Sequence, residues 1–312
     1  MHIYKISKLL GNKLKYGTST TRLRNVIYNR GRKLRSMTWL FLLIFASLLF
    51  TEALIPPFPL PFYPPVILLD RDGVINVDVG SPGVLSPNDL RLTPSAGTSI
   101  LRLHRYTNHC RCRVVVVTNQ SCVGKGLLSL KYLDAIHLRL ESLLVEEATV
   151  TATATNGNVN DDVNYYSDAI PDRIHVCTSI EDGNPRKKPN PGMLLEALCN
   201  QSADYDKAVN TANADPSSCV MIGDTISDLM AAHSAGIGVR VLVSTGYGKN
   251  IMGGRSVHEC GVELIDGSND YNGNGNDGNY GIPVGIPRYV LPFYYVENLK
   301  TAVTWIIGNK KW

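Results

Sequence analysis

The sequence predicts an α/β fold, with a mainly parallel sheet covered by helices on both faces. Three observations carry this. Short, almost wholly apolar runs recur, the clearest being the four valines of residues 113–118. Stretches with apolar residues at helical spacing lie between them. The two kinds alternate from residue 66 to residue 307, the order of a parallel sheet with crossover helices.

Taken in order, residues 66–70 form an apolar run ending on polar residues and read as a buried strand. Residues 95–106 read as a helix through Ile100, Leu101 and Leu103. The valine run 113–118 is a strand buried on both faces. Ser129 can cap a helix reaching about residue 147, with Leu130, Leu133, His137, Leu140 and Leu144 at helical spacing. Residues 174–177 are a third strand, and Pro191 starts a helix to about residue 200. Strands at 219–223 and 239–243 flank a helix at 226–235, and a strand near 289–293 precedes a final helix at 297–307. Two stretches lack any apolar period and read as low-complexity, disordered insertions. Residues 148–168 are Thr/Ala-rich and then Asn/Asp-rich, and residues 266–285 are rich in Gly and Asn.

The chain of 312 residues carries a formal net charge of +4, but unevenly. Residues 1–37 hold ten of its 31 basic residues and no acidic one, leaving 21 basic against 27 acidic residues, a net −6, in the rest. The body therefore lacks the basic groove of a nucleic-acid-binding domain. Twelve nearly unbroken apolar residues, 39–50, follow the leader. That length suits a signal region better than a full span of about 20 residues. The organisation expected is a basic leader (1–37), a hydrophobic signal or anchor segment (38–55), a Pro-rich linker (56–65) and a catalytic domain (66–312). A membrane-associated or organelle-targeted monomer follows, the destination being secretory, plastid or mitochondrial. Seven cysteines are too few for a disulfide scaffold in a chain this long.

Chemistry-bearing residues stand at strand ends and helix starts, where α/β sheets bind ligands. Asp70 at a strand tip can attack phosphorus. Asp72 can protonate the leaving oxygen and later deprotonate water. Asp224 can join Asp70 around Mg²⁺, a hard cation that takes carboxylate oxygens. The Thr118 hydroxyl and the Lys188 ammonium can hold phosphoryl oxygens. Taken singly, each aspartate could be only a helix cap or turn former, and Asp228 only a first-turn helix acid. Gly124-Lys125-Gly126 lacks the spacing of a Walker loop. The scattered histidines suggest no catalytic role.

Four segments together resemble the motifs of the haloacid dehalogenase (HAD) superfamily. They are Asp70-Arg-Asp-Gly-Val-Ile-Asn76, Val114-Val-Val-Val-Thr-Asn-Gln-Ser121, Lys187-Lys-Pro-Asn-Pro-Gly-Met193 and Ile222-Gly-Asp-Thr-Ile-Ser-Asp228. Within it they are most similar to the histidinol-phosphatase and D-glycero-D-manno-heptose 1,7-bisphosphate 7-phosphatase branch. The resemblance implies a three-layer Rossmann-like, nearly capless fold and a Mg²⁺-dependent phosphatase. Its substrate would be a small phosphomonoester: a sugar phosphate or bisphosphate, or a histidinol-phosphate-like compound. Asp70 would be nucleophile and metal ligand, and Asp72 acid/base and metal ligand through its carbonyl. Asp224 would complete the protein ligands, with Asp228 in support. Thr118 and Lys188 would bind phosphate, and Asn119, Gln120, Lys125 and Lys187 would contact substrate.

The sequence departs from this branch in one loop. Bacterial members carry Cys-x-His and then Cys-x-Cys before the phosphate-binding lysine. Here Cys177 is followed by Thr178-Ser-Ile-Glu-Asp-Gly-Asn-Pro185, so no structural zinc is expected. Two other readings compete: a nucleic-acid 3′-phosphatase and a catalytically silent, membrane-tethered binding module. Asn119-Gln-Ser121 and Asn200-Gln-Ser202 also fit the N-glycosylation pattern.

Overall fold

The computed structural model describes residues 64–105, 112–156, 163–199, 214–257, 261–267, 282–283 and 285–308. The leader, the apolar segment, linker residues 56–63 and most of 266–285 lie outside them. No helix among the described residues is long and apolar enough to cross a membrane.

Five strands follow the parallel pattern: Val66–Leu69 (β1), Arg113–Asn119 (β2), Arg173–Cys177 (β3), Val220–Gly223 (β4) and Val239–Val243 (β5). Val262–Ile265 (β6) and Phe293–Val296 (β7) complete a seven-stranded sheet of order β3-β2-β1-β4-β5-β7-β6. Only the β6–β7 pairing is antiparallel. Strand periodicity of two divides the side chains between two cores. Ile67, Leu69, Val114, Val116 and Ile222 face one side, where Ala96–Arg105 (α1) packs. Leu130–Asn156 (α3) packs there too, and so does Leu299–Gly308 (α7). Val66, Leu68, Val115, Val117 and Met221 face the other, under Gly192–Leu198 (α4) and Ile226–Ser234 (α5). Each such side chain taken fully out of water contributes roughly 1.5–3 kcal/mol. Two short helices complete the set, Ser121–Gly124 (α2) after β2 and Gly248–Ile251 (α6) after β5. The fold is thus a mostly parallel α/β sandwich, and no separate cap domain stands among the described residues.

Three expectations are corrected. The stretch from 148 is not disordered at its start: α3 runs on to Asn156, with Ala148 buried in the core. Its threonines are tolerated because Thr149, Thr151 and Thr153 donate their hydroxyls to the carbonyls of Val145, Glu147 and Thr149. Residues Val163–Ala169 form a 3-10 helix that buries Tyr166. The last strand lies further on than 289–293. Arg288–Val290 is a 3-10 turn, and the strand starts at Phe293, after Pro292, which has no N–H for a ladder. The edge strand β6 was not expected.

Candidate active site

The site forms where β1 and β4 end side by side. The Asp70 amide donates to the Ile222 carbonyl at 2.9 Å, so the tips of the two central strands are locked together. Beyond Asp70 the chain folds back sharply, with the amides of Ile75 and Asn76 both bonding the Arg71 carbonyl. Gly73 permits this through its left-handed φ of +79°. It also permits contact, since a Cβ there would stand 2.2 Å from Asp224 Oδ2.

Carboxylate oxygens of Asp70, Asp224 and Asp228 all lie within 4.8 Å of one another, and all three residues are buried. One ammonium stands among them: Lys188 Nζ is 2.9 Å from Asp70 Oδ1 and 2.6 Å from Asp228 Oδ1. Burial and the crowding of like charge set their protonation. Burial pushes the Asp70 carboxyl up, Asp228 and Asp72 add to this, and Lys188 opposes it. Burial likewise raises Asp224, helped by Asp228 and Asp70. Lys188 moves up despite its burial, because Asp228 and Asp70 hold its charge. Three acids around one cation leave an excess of negative charge. Asp224 Oδ1 is buried with no hydrogen-bond partner, while Oδ2 accepts from the Tyr247 amide at 2.9 Å. An orphaned carboxylate oxygen among clustered acids is a donor set that suits a hard divalent cation.

Asp72 belongs to a different network. Its carboxylate accepts from Arg71 Nη2 at 3.0 and 2.8 Å, from Asn76 Nδ2 at 2.8 Å and from Gln120 Nε2 at 2.8 Å. Burial opposes its charge, but Arg71 and these hydrogen bonds prevail and hold it below the usual carboxylate range. Thr118 is buried, and its Oγ1 accepts from Gln120 Nε2 at 3.0 Å, leaving its own proton to donate.

The four residues expected to contact substrate are placed differently. The Asn119 side chain clamps the Lys188 backbone, donating to its carbonyl at 3.0 Å and accepting from its amide at 3.1 Å. A glycan on Asn119 would break that clamp. Gln120 is buried between Asp72 and Thr118. Both amides are engaged by other groups of the site, Gln120 buried and Asn119 half-buried. Lys187 Nζ is occupied by Asp182 Oδ1 at 2.6 Å and the Ile180 carbonyl at 2.9 Å. Lys125 is exposed at the end of α2. Asp228 has two attachments: a capping box with Thr225 starts α5, and its other oxygen takes Lys188.

The loop after Cys177 is tied by hydrogen bonds. Asn190 Nδ2 donates to the carbonyls of Asp182 and Asn184, and Asn184 Oδ1 accepts from the Arg186 amide. Sequence reasoning missed the segment after β5. Gly246 sits at φ +58°, where a Cβ would meet Asp224 Oδ2 at 2.0 Å, and Thr245 Oγ1 bonds the Gly73 carbonyl. Only the Gly-Tyr-Gly run 246–248 after a strand hinted at it. Arg71 and His137 were also missed. Arg71 is fully buried, and its Nη1 lies 3.3 Å from His137 Nε2 on α3.

The chain is similar to proteins of known family. A family model described as HAD-hydrolase-like matches residues 185–252. The chain is 30% identical over 201 residues to D-glycero-D-manno-heptose-1,7-bisphosphate 7-phosphatase of Thermosynechococcus vestitus, covering 64% of this chain and 89% of that protein. It is 32% identical over 189 residues to the D-glycero-beta-D-manno-heptose-1,7-bisphosphate 7-phosphatase of Vibrio cholerae, covering 58% and 82%. Among solved structures, the D,D-heptose 1.7-bisphosphate phosphatase from B. bronchiseptica, complexed with magnesium and phosphate, is 24% identical. It covers 78% of this chain and 98% of its own, with a TM-score of 0.48.

Proposed function

We propose a reaction for this chain, which belongs to the haloacid dehalogenase superfamily and is a phosphoric monoester hydrolase. It hydrolyses a small sugar phosphate or bisphosphate with Mg²⁺, through an aspartyl-phosphate intermediate. The observation that carries this is the buried triad of Asp70, Asp224 and Asp228, with the Lys188 ammonium on Asp70 and Asp228 and Asp224 Oδ1 unpartnered.

Asp70 and Asp224, with the Asp72 carbonyl, would hold the metal, and Asp228 would support it. Bound there, Mg²⁺ supplies the positive charge that lets a carboxylate approach an anionic phosphate. The chain's own groups do the rest. Lys188 and the Thr118 hydroxyl hold phosphoryl oxygens against the nucleophile. The Asp70 carboxylate forms an O–P bond as the P–O bond to the sugar breaks, and Asp72, ionised in the resting site, takes the proton carried in by the substrate monoanion and passes it to the departing oxygen. Asp72 then takes a proton from water, the hydroxide attacks phosphorus, and the Asp70–phosphorus bond breaks to release inorganic phosphate. Asn119 fixes the Lys188 backbone, so the ammonium stays on the phosphate rather than following its loop.

The sugar assignment rests on the relatives' named substrates. Lys125, exposed at the end of α2, is the cation this reading assigns to a second, distal anionic group. A phosphate-release screen over sugar phosphates, sugar bisphosphates, histidinol phosphate and nucleotides, with Mg²⁺ and with chelator, tests it. Sugar phosphates should lead, and only with Mg²⁺. Preference for a nucleotide or an oligonucleotide 3′-phosphate would replace the substrate assignment. No release from any substrate with Mg²⁺ would remove the catalytic one.

A further inference from the structure

We propose that His137 is a positioning residue for Asp72, acting through the buried guanidinium of Arg71. This rests on the reading of Asp72 as the acid and base of the reaction.

Arg71 is wholly buried, and a guanidinium can only donate hydrogen bonds. Its Nη2 grips both oxygens of Asp72, at 3.0 and 2.8 Å. Its Nη1 meets His137 Nε2 at 3.3 Å, and its Nε has no partner. Because Arg71 donates, Nε2 must be the unprotonated nitrogen and Nδ1 carries the proton. The imidazole is therefore a neutral acceptor that fixes the second arm of the fork. His137 stands on α3, whose Leu133, Ile136 and Leu140 are buried in the core, so its position is set by packing. The chain of contact runs from α3 through His137 and Arg71 to the Asp72 carboxylate, linking residues 66 positions apart.

Asn76 and Gln120 also hold Asp72, but each contacts one oxygen. Arg71 alone spans both, and so sets the plane of the carboxylate. A proton donor must meet the leaving oxygen within hydrogen-bond reach, and a small tilt costs rate. The side chain of Asp72 keeps 23% of its surface exposed, which leaves it accessible to substrate while held from behind.

The test uses the full chain with Mg²⁺ and two substrates. p-Nitrophenyl phosphate has a leaving group that departs without protonation, whereas glycerol 3-phosphate needs the acid. His137→Leu removes the acceptor, and His137→Gln restores one through its amide oxygen. We expect His137→Leu to lower kcat/KM on glycerol 3-phosphate, which reports the steps through leaving-group departure and not the later base step, roughly 10- to 100-fold. p-Nitrophenyl phosphate should lose about twofold or less, and His137→Gln should recover most of the loss. The ratio of the two rates does not depend on how much variant is folded. Equal loss on both substrates, no loss, or no recovery with Gln each overturns the proposal. Asp72→Asn separates the two ideas: it must show the same selectivity, larger. If it does not, the acid/base assignment of Asp72 has failed. If it does and His137→Leu does not, only the positioning role has.

Discussion

Two buried ionic clusters sit at opposite ends of the same sheet, and their hydrogen bonding differs in kind. At the end where the parallel strands begin, His104 on α1 has Nδ1 2.7 Å from the Asp168 carbonyl and Nε2 2.8 Å from Asp172 Oδ2. The same oxygen accepts from the Val114 amide at 2.8 Å. Both ring nitrogens have partners, so the cluster is closed by hydrogen bonds and ties α1 to β2 and to the start of β3. At the other end, three carboxylates crowd together, the ammonium of Lys188 contacts only those of Asp70 and Asp228, and one oxygen of Asp224 has nothing to bond. Burial is similar, but the balance is not. A closed pair holds structure together, whereas an open excess of charge is tolerated where a ligand completes it.

The largest test is of the open cluster. Asp70→Asn should lower turnover by about 10⁴-fold or more while leaving the fold intact, as read from kcat and thermal unfolding. Normal activity in this variant would sink the nucleophile assignment. The closed cluster should respond in the reverse sense. Asp172→Asn takes away the carboxylate shared by His104 and the Val114 amide, and should cost about 1–3 kcal/mol of stability while folded enzyme keeps its rate. A variant as stable as the wild type would erase the distinction drawn here.

A third measurement removes the ligand. Adding Mg²⁺ at about 100 times its Kd should stabilise the wild type by about 2.7 kcal/mol over the chelated enzyme. Asp224→Asn should lose that gain, yet melt no lower than the wild type in chelator, because it relieves repulsion among Asp70, Asp224 and Asp228. A lower melting temperature in chelator would mean that the open cluster, too, is structural.

The smallest effect belongs to the support behind Asp72. Burial, and then the Arg71 charge, push the His137 pKa down to about 4, against Asp134 and Asp72. An unfolded histidine titrates near 6.5. Between those values the unfolded chain binds more protons, so this residue's contribution is present above about pH 6.5 and is lost as pH falls towards 4. The stability difference between wild type and His137→Gln should shrink on acidification through that window. A difference that stays flat with pH counts against a neutral, acceptor imidazole.

Much of this was legible in the sequence. The runs at 66–70, 113–118 and 239–243 became β1, β2 and β5, because short apolar runs rich in Val, Ile and Leu suit strands of a covered parallel sheet. Ser129 caps α3 as expected, accepting from the Tyr132 amide at 3.2 Å. Other elements were not legible. The extension of α3 through its threonines depends on hydroxyls returning to the helix's own carbonyls, which composition hides. The edge strand β6 has four residues, one of them buried, too weak a pattern to find alone.

By itself, the sequence determined the order of strands and helices and the types of group gathered at the strand ends. Both are written in local patterns: periodicity, and short motifs of a few adjacent residues. Only the tertiary structure decided what each charged or amide side chain does there. Gln120 reaches Asp72 across 48 positions and Asn119 reaches Lys188 across 69, so the amides of two expected substrate contacts are engaged by other groups of the site. The physical reason is that a buried polar group must find a partner, and the fold alone determines which partners stand within 3 Å.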